Sequence, residues 1–543
     1  MAEIRKIRPS QPTIDSAATL NVIGTHFVTN TFWLDHRESF LTIKAYGNDP
    51  ATVSGGVKLE PSDGWTNDGL VKTAFFPNIQ KCGELWEGNV RLLPARDPDI
   101  EDWGFNKNVG DGPYHQITDL LKSTSTCYRD QPFRNRNCPD ENRNGFIFND
   151  EFDGLDKDHL DQTQVLVYHS WIAEYVKVSS VSGKKVMFQN PTSHEPLGTH
   201  NPESQYRFVI FNNKAILNKP GESVCLVKNG GVEVSYIPMN VDQVPIMAQN
   251  KVIININQRG KNPPPQFIEF SGLKFHHSTS DGIDGYRWGS ESAIRVTNSD
   301  DITIRDCEFS NIGMIGLFAR NTRRFLADGN VFFDIGLHGI LTMDRPDSRS
   351  SDPYEDVMVS NNLINGYGTT RYWQPAAIWA DGRKNIAVNH NDVSNGPNHG
   401  IRITGKPEGS TYWTDNGVDP SNPSKADFLR HVEFNHVHHW GGILSDYGAI
   451  YAGPSATCDD QPEATLKKQC YMYSHIYNNY IHDGTSFNDK PVMIYTDASA
   501  SKNLVDSNLL VGDAGIWITH HCGLENESRN NIIHKYRIFN LYP

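Results

Sequence analysis

The sequence predicts an all-β chain wound into a right-handed parallel β-helix, a solenoid, with a β-rich module inserted near the N-terminus. Three observations predict it. First, one short pattern recurs eight times between Ala293 and His534: an apolar residue, two polar or small ones, usually Asn, any residue, then an apolar residue. It spans Ile304–Phe309 (Cys307 in the Asn place), Ala327–Phe332, Val359–Ile364, Val388–Val393, Val432–Val437, Ile476–Ile481, Val505–Leu510 and Ser528–Ile533. Second, a further apolar run separates successive copies, at Gly316–Ala319, Gly339–Thr342, Ala376–Ala380, Gly400–Thr404, Gly448–Ala452, Val492–Thr496 and Gly515–Thr519. One coil is therefore expected to hold two apolar strands joined by polar turns. Third, the Asn positions 330, 362, 391, 435, 479, 508 and 531 are separated by 32, 29, 44, 44, 29 and 23 residues. Spacing in the twenties with embedded insertions marks a solenoid rather than a propeller. Asn at equivalent turns of successive coils can stack, each amide bonding its neighbour and the backbone groups that a tight turn orphans.

Taken from the N-terminus, residues 20–60 read as short strands at Phe27–Val28, Phe40–Ile43 and Ala51–Val53, the opening coils of the same helix. From Trp65 to Met247 the repeat is absent. The segment carries two strand-rich runs, the second with Asn229-Gly230 as a hairpin turn. Pro263–Pro265 then mark re-entry, and "FIEFSGLKFHH" begins the main stack. The expected division is 1–64 for the first coils, 65–250 for the inserted module and 251–543 for the main solenoid.

Composition narrows the function. The chain has 543 residues, 37% hydrophobic, with 44 Gly and 30 Pro, which suits a turn-rich β protein. No apolar run reaches the roughly 18 residues of a membrane span. A net charge of −14 and a pI near 5.8 argue against a nucleic-acid partner, which needs a basic face. Eight Cys are too few for a disulfide scaffold in so long a chain. Cys127/Cys138 and Cys458/Cys470 each bracket a polar loop as a staple would, Cys82 with Cys225 is a further possible pair, and Cys307 in the repeat is expected to be a free core thiol. No CxxC or Cys/His zinc spacing appears, so neither a metal nor another cofactor is expected. These features, with a glycosylation sequon at Asn526-Glu527-Ser528, fit an exported protein, although Met1 to Asn30 lacks the apolar core of a signal peptide.

In order, "LTIKAYGNDPATVSGG", "RLLPARDPD", "RFVIFNNKAILNKPGE", "FIEFSGLKF", "LSDYGAIY", "VMIYTDASAS" and "HHCGLENESRNNI" cover nearly the whole chain. Together they resemble the right-handed β-helix glycosidases of glycoside hydrolase family 141 and their relatives. The resemblance implies hydrolysis of plant or algal cell-wall glycans through a pair of Asp residues. Members of that family usually continue beyond the last repeat, whereas this stack stops at Pro543, which reads as a shortened form.

Glycoside hydrolysis needs two carboxyl groups flanking the scissile bond. Asp446 in "LSDYGAIY" and Asp497 in "IYTDASAS" match the family motifs and belong to adjacent coils, about 4.8 Å apart. Asp446 precedes its strand while Asp497 follows its own, so the chain must bend near Gly448 for them to converge. Asp381 in "IWADGR" holds the strand-end position of Asp497 three coils earlier; with Glu291 it is the reserve carboxylate. For the substrate, His399, Arg402 and His521 are the polar candidates, Arg402 for a carboxylate or sulfate. Trp288, Trp373, Tyr447 and Tyr451 are the candidate stacking platforms for a pyranose ring.

The expected partner is a polysaccharide or oligosaccharide and the expected location extracellular. Two other functions fit the same fold: a polysaccharide lyase, with Arg402 and His399 in "NHGIRI" handling a uronic acid, and a non-catalytic carbohydrate-binding protein.

Overall fold

The computed structural model describes residues 18–47, 51–99, 114–121, 143–149, 154–169, 171–193, 196, 206–280, 290–343, 356–381, 386–404, 430–444, 446–453, 474–485, 491–497, 500, 503–512, 515–521 and 526–535. They form a right-handed parallel β-helix with a largely antiparallel module set into its first coils.

Each coil has three faces rather than the two read from the sequence. The first contains Val252–Asn257, His338–Met343, Ala376–Asp381, His399–Thr404, Gly448–Ala452, Val492–Thr496 and Ile516–His520. The second contains Val357–Ser360, Ile386–Asn389, Arg430–Glu433, Ser474–Tyr477 and Asn503–Asp506, and the third Leu363–Tyr367, Asp392–Gly396, His436–Trp440, Tyr480–His482 and Leu509–Gly512. Ser292–Arg305 and Ile315–Asp328 run unbroken over the first and second faces. The recurring pattern, read as one strand, is two: its Asn stands at a corner, so Arg430–Glu433 and His436–Trp440 lie on different faces.

That corner explains why the pattern recurs. The residue before each Asn is left-handed, with φ of 56° at Asn361, 55° at His390, 54° at Phe434 and 54° at Asn478, a conformation that costs a non-Gly residue free energy. The buried Asn side chain answers this by tying three coils together. Asn391 Nδ2 donates to Val359 O (2.9 Å) and to Asn435 Oδ1 (3.0 Å), while its Oδ1 accepts from Asn362 N (3.0 Å) and Asn362 Nδ2 (2.9 Å). The same links run from Asn330 through Asn362, Asn391, Asn435, Asn479 and Asn508 to Asn531.

A second corner, between the third and first faces, has two consecutive inward residues. Ala377 with Ile378, Ala449 with Ile450 and Met493 with Ile494 all belong to the core. At the first of these positions space is short: a Cβ on Gly400 would lie 2.5 Å from Val437 Cγ1, and one on Gly316 2.7 Å from the Phe332 ring.

The N-terminal strands stack into the same sheets, Ala18–Val22 on Leu41–Ala45 and that on Gln266–Ser271. The chain then leaves the stack, and the strands from Gly56–Lys58 to Ile246–Ala248 form two further sheets before it returns at Val252. The expected hairpin is present, with Lys228 opposite Gly231 and Gly230 at φ 85°. Cys82 and Cys225 form a disulfide and Cys307 is a buried free thiol; Cys127, Cys138, Cys458 and Cys470 lie outside the described residues. The module docks on the turns that lead into the first face. Ile172 pairs with Trp373, Tyr168 and Tyr175 share a core cluster with Ile443 and Leu444, and Arg91 Nε donates to Asp334 Oδ1 at 2.9 Å.

The sequon reading meets a structural obstacle. Asn526 Nδ2 donates to Ala500 O at 2.8 Å and its Oδ1 accepts from Asn503 N and Nδ2, so the amide that a glycan would occupy already joins two coils.

Candidate active site

On the first face, one outward position repeats along the axis as Leu341, Trp379, Arg402, Tyr451, Tyr495 and Thr519, each paired with the next. Two residues further, at the strand ends, Asp381 pairs with Thr404, and backbone bonds carry the same line through Gly453 (to Ile403 O, 2.9 Å), Asp497 (to Ala452 O, 2.9 Å) and His521 (to Thr496 O, 2.7 Å). Aromatic rings and a guanidinium thus lie beside a row that contains two carboxylates.

Asp497 is held on both of its oxygens. Tyr451 donates its hydroxyl to Oδ2 at 2.8 Å, and His521 Nδ1 stands 2.6 Å from Oδ1. Two side chains thus hold it, one from the first face and one from the next coil. Burial and the adjacent carboxylates push the phenols of Tyr451 and Tyr495 well above their ordinary range, so both remain O–H donors at neutral pH.

Arg402 is buried, with its guanidinium carbon 4.0 Å from the Trp379 ring and 5.3 Å from Tyr451; it donates to Gln374 Oε1 at 2.6 Å. Burial lowers its pKa, and the charges of Tyr451, Asp381, Asp497 and Asp446 oppose that shift. A guanidinium keeps its proton in such a setting, so Arg402 is a buried cation on this face.

Asp446 is exposed and left-handed at φ 59°, in the turn that enters the first face. Its charge adds to the upward shift of Tyr451 and Tyr495 and opposes the downward shift of Arg402. The chain folds sharply after it: a Cβ on Gly448 would lie 3.0 Å from the Ile450 carbonyl oxygen two residues on and 2.9 Å from the Tyr495 side chain. Asp446 precedes one first-face strand and Asp497 follows the next, so the two candidate carboxylates lie at opposite edges of that face.

The other candidates scatter. Asp381 is three coils from Asp497, about 14 Å along the axis, and Glu291 six coils, about 29 Å. His399 is buried beneath Tyr451, with ring centroids 4.4 Å apart, and its Nδ1 accepts from Gly448 N at 3.3 Å. Tyr447 points into the coil, donating to Thr485 O at 2.6 Å and packing edge-on against the buried Trp440. Trp373 sits at the seam with the inserted module, and Trp288 lies outside the described residues. Trp379, Tyr495 and Gln374 escaped the sequence reading. Two of them carried a signal: "IWAD", "IYAG" and "IYTD" put Trp379, Tyr451 and Tyr495 at one position, two residues before Asp381, Gly453 and Asp497.

Comparison with known proteins supports the fold. A family model described as "Right handed beta helix region" matches residues 240–412. No curated protein matches the sequence. A solved structure described as "Glycoside hydrolase" superposes with a TM-score of 0.68 at 16% identity, over 95% of this chain and 88% of that one. Another, "The complex structure of XylC with xylose", gives 0.44 at 8% identity over 94% and 65%. A DFA-IIIase from Arthrobacter chlorophenolicus A6 in complex with GF2 gives 0.28 at 13% over 52% and 66%. At such identities the likeness concerns the fold alone.

Proposed function

We propose that the chain is a glycoside hydrolase of cell-wall or algal-type polysaccharides, related to glycoside hydrolase family 141, with Asp446 and Asp497 as its catalytic pair. The observation that carries this reading is that Tyr451 and His521 hold the Asp497 carboxylate at the end of a first-face strand, while Asp446 stands exposed in the turn that enters the neighbouring strand. Asp497 accepts hydrogen bonds on both oxygens, the arrangement of a carboxylate that attacks the anomeric carbon or activates water. Asp446, exposed at the edge of the face, is left to protonate the departing glycosidic oxygen. Half-buried Tyr495 offers ring surface beside Tyr451 for sugar stacking, whereas Trp379 is buried and packs under Arg402. The Cys82–Cys225 disulfide fits an oxidising, extracytoplasmic setting.

The test is turnover on a panel of xylans and fucosylated polysaccharides. Asp446→Asn and Asp497→Asn each lower kcat by about 10²–10⁴-fold, the contribution of acid–base assistance, with unchanged melting. Near-normal hydrolysis by both variants sinks the assignment. Products with ultraviolet-absorbing double bonds would move the chain to the lyases. Sugar binding without turnover, indifferent to Asp446→Asn, would make it a binding protein.

A further inference from the structure

The third face of the solenoid carries a histidine cluster that the proposed hydrolysis does not use. His436 and His438 stand two residues apart on one strand, on either side of the inward Val437, so both rings point outward. Asp392 lies opposite His436 on the preceding coil and His482 opposite His438 on the following one. Asp392 offers one oxygen to each ring: Oδ2 is 3.2 Å from His436 Nδ1 and Oδ1 is 3.1 Å from His438 Nε2. Beyond them, His436 Nε2 meets His482 Nε2 at 2.7 Å, His482 Nδ1 meets Asp483 Oδ2 at 2.7 Å, and His438 Nδ1 meets His439 Nδ1 at 2.7 Å.

Counting protons through this network exposes a conflict. A carboxylate only accepts, and a neutral imidazole carries one N–H. If His436 Nδ1 and His438 Nε2 both donate to Asp392, and His482 Nδ1 donates to Asp483, then His436 Nε2 and His482 Nε2 are both lone pairs directed at each other. A cation at the corner shared by Asp392, His436 Nδ1 and His438 Nε2 removes the conflict. His436 then coordinates through Nδ1 and carries its proton on Nε2, which donates to the His482 Nε2 lone pair. His482 in turn donates Nδ1–H to Asp483, and His438 donates Nδ1–H to the Nδ1 of His439. Every ring is neutral and every contact has one proton. This is also the outer-shell arrangement of metal-bound histidines, whose second nitrogen donates to a neighbour that fixes the tautomer.

We propose that Asp392, His436 and His438 bind a divalent transition-metal ion of the zinc, nickel or copper class, oriented by His482 and Asp483 and linking adjacent coils of the third face. The candidate ligand atoms lie within 4.8 Å of one another. Each ring nitrogen lies 3.1–3.2 Å from its own oxygen of Asp392, near the roughly 3.3 Å ligand–ligand spacing of a tetrahedron with bonds of about 2.0 Å, so a small turn of the carboxylate would bring one oxygen within reach of an ion held by both rings. Imidazole with one carboxylate suits this class of ion over magnesium or calcium, which prefer oxygen donors throughout. The Asp392, His436 and His438 side chains are 45%, 36% and 21% exposed, so an ion reaches them from solvent and a water completes its shell.

The test uses the untagged full chain, stripped with chelator, and Zn²⁺ alone as probe. One Zn²⁺ binds per chain by calorimetry and raises the melting temperature. His438→Gln weakens it at least about tenfold, and Asp392→Asn, nearly identical in shape, does the same should the His variant fail to fold. Co²⁺ gives visible ligand-field bands in the parent and not in the variants, a signature that a merely structural role would not produce. No Zn²⁺ bound by the parent, or equal binding by parent and folded variants, overturns the proposal.

Discussion

Replacing Asn391 by Ala tests what holds the coils in register. The change removes a buried side chain that makes bonds to three coils. Asn362 N loses its acceptor and becomes an orphaned buried donor, at a cost of about 1–3 kcal/mol. The bonds to Val359 O and Asn435 Oδ1 vanish as well, at about 0.5–1.5 kcal/mol each, so the total is roughly 2–6 kcal/mol. Asn531 makes the same kinds of bond at the half-exposed end of the ladder, where water can replace them, so Asn531→Ala costs about 0.5–1.5 kcal/mol. Asn391→Asp keeps the shape but aims a carboxylate at the Val359 and Asn435 oxygens, and it costs at least as much as Ala. Urea unfolding followed by far-ultraviolet circular dichroism reads all three. Should Asn391→Ala lose less than about 1 kcal/mol, or match Asn531→Ala, satisfaction of buried backbone groups is not what the ladder provides.

Two further outcomes are open to direct measurement. Burial holds His277 and His338 neutral in the fold, each down to about 3, while in the unfolded chain they take up a proton near pH 6.5. Between those values the unfolded state binds more protons, so stability falls as pH is lowered from about 6.5 to 3, by up to about 1.4 kcal/mol per pH unit for each ring. Asp35 and Glu308, held at about 2 chiefly by hydrogen bonds from Arg37 and His276, add to the loss between about pH 4.5 and 2. Melting temperatures that stay flat from pH 6.5 to 4 contradict this. Opening the Cys82–Cys225 disulfide, which closes 143 residues of chain, by Cys82→Ser with Cys225→Ser lowers the stability of the inserted module by about 2–4 kcal/mol. Calorimetry then shows an earlier transition for the module alone; a uniform shift of the whole chain refutes that separation.

What the sequence determined by itself is the stack. Burial in a solenoid repeats with every coil, so the apolar positions and the corner Asn recur in the chain, and the ladder from Asn330 to Asn531 was legible residue by residue. The inserted module and its Asn-Gly hairpin were legible because the repeat stops there. Three matters belonged to the tertiary structure. The number of faces was hidden because one short pattern covers a corner as well as two strands. Which residues leave the coil interior on the first face was hidden because strand alternation breaks at Ala449 and Ile450: both point inward, so Tyr451 lies on the outer side while Tyr447, four residues earlier, lies inside. Axial neighbours were hidden because turn insertions vary in length. Asp392 and His436 are 44 residues apart in sequence yet directly paired, and Gln374 reaches Arg402 across 28. The chain encodes a coil locally, whereas contacts along the axis depend on how many residues each turn takes before it returns, and only the folded stack settles that.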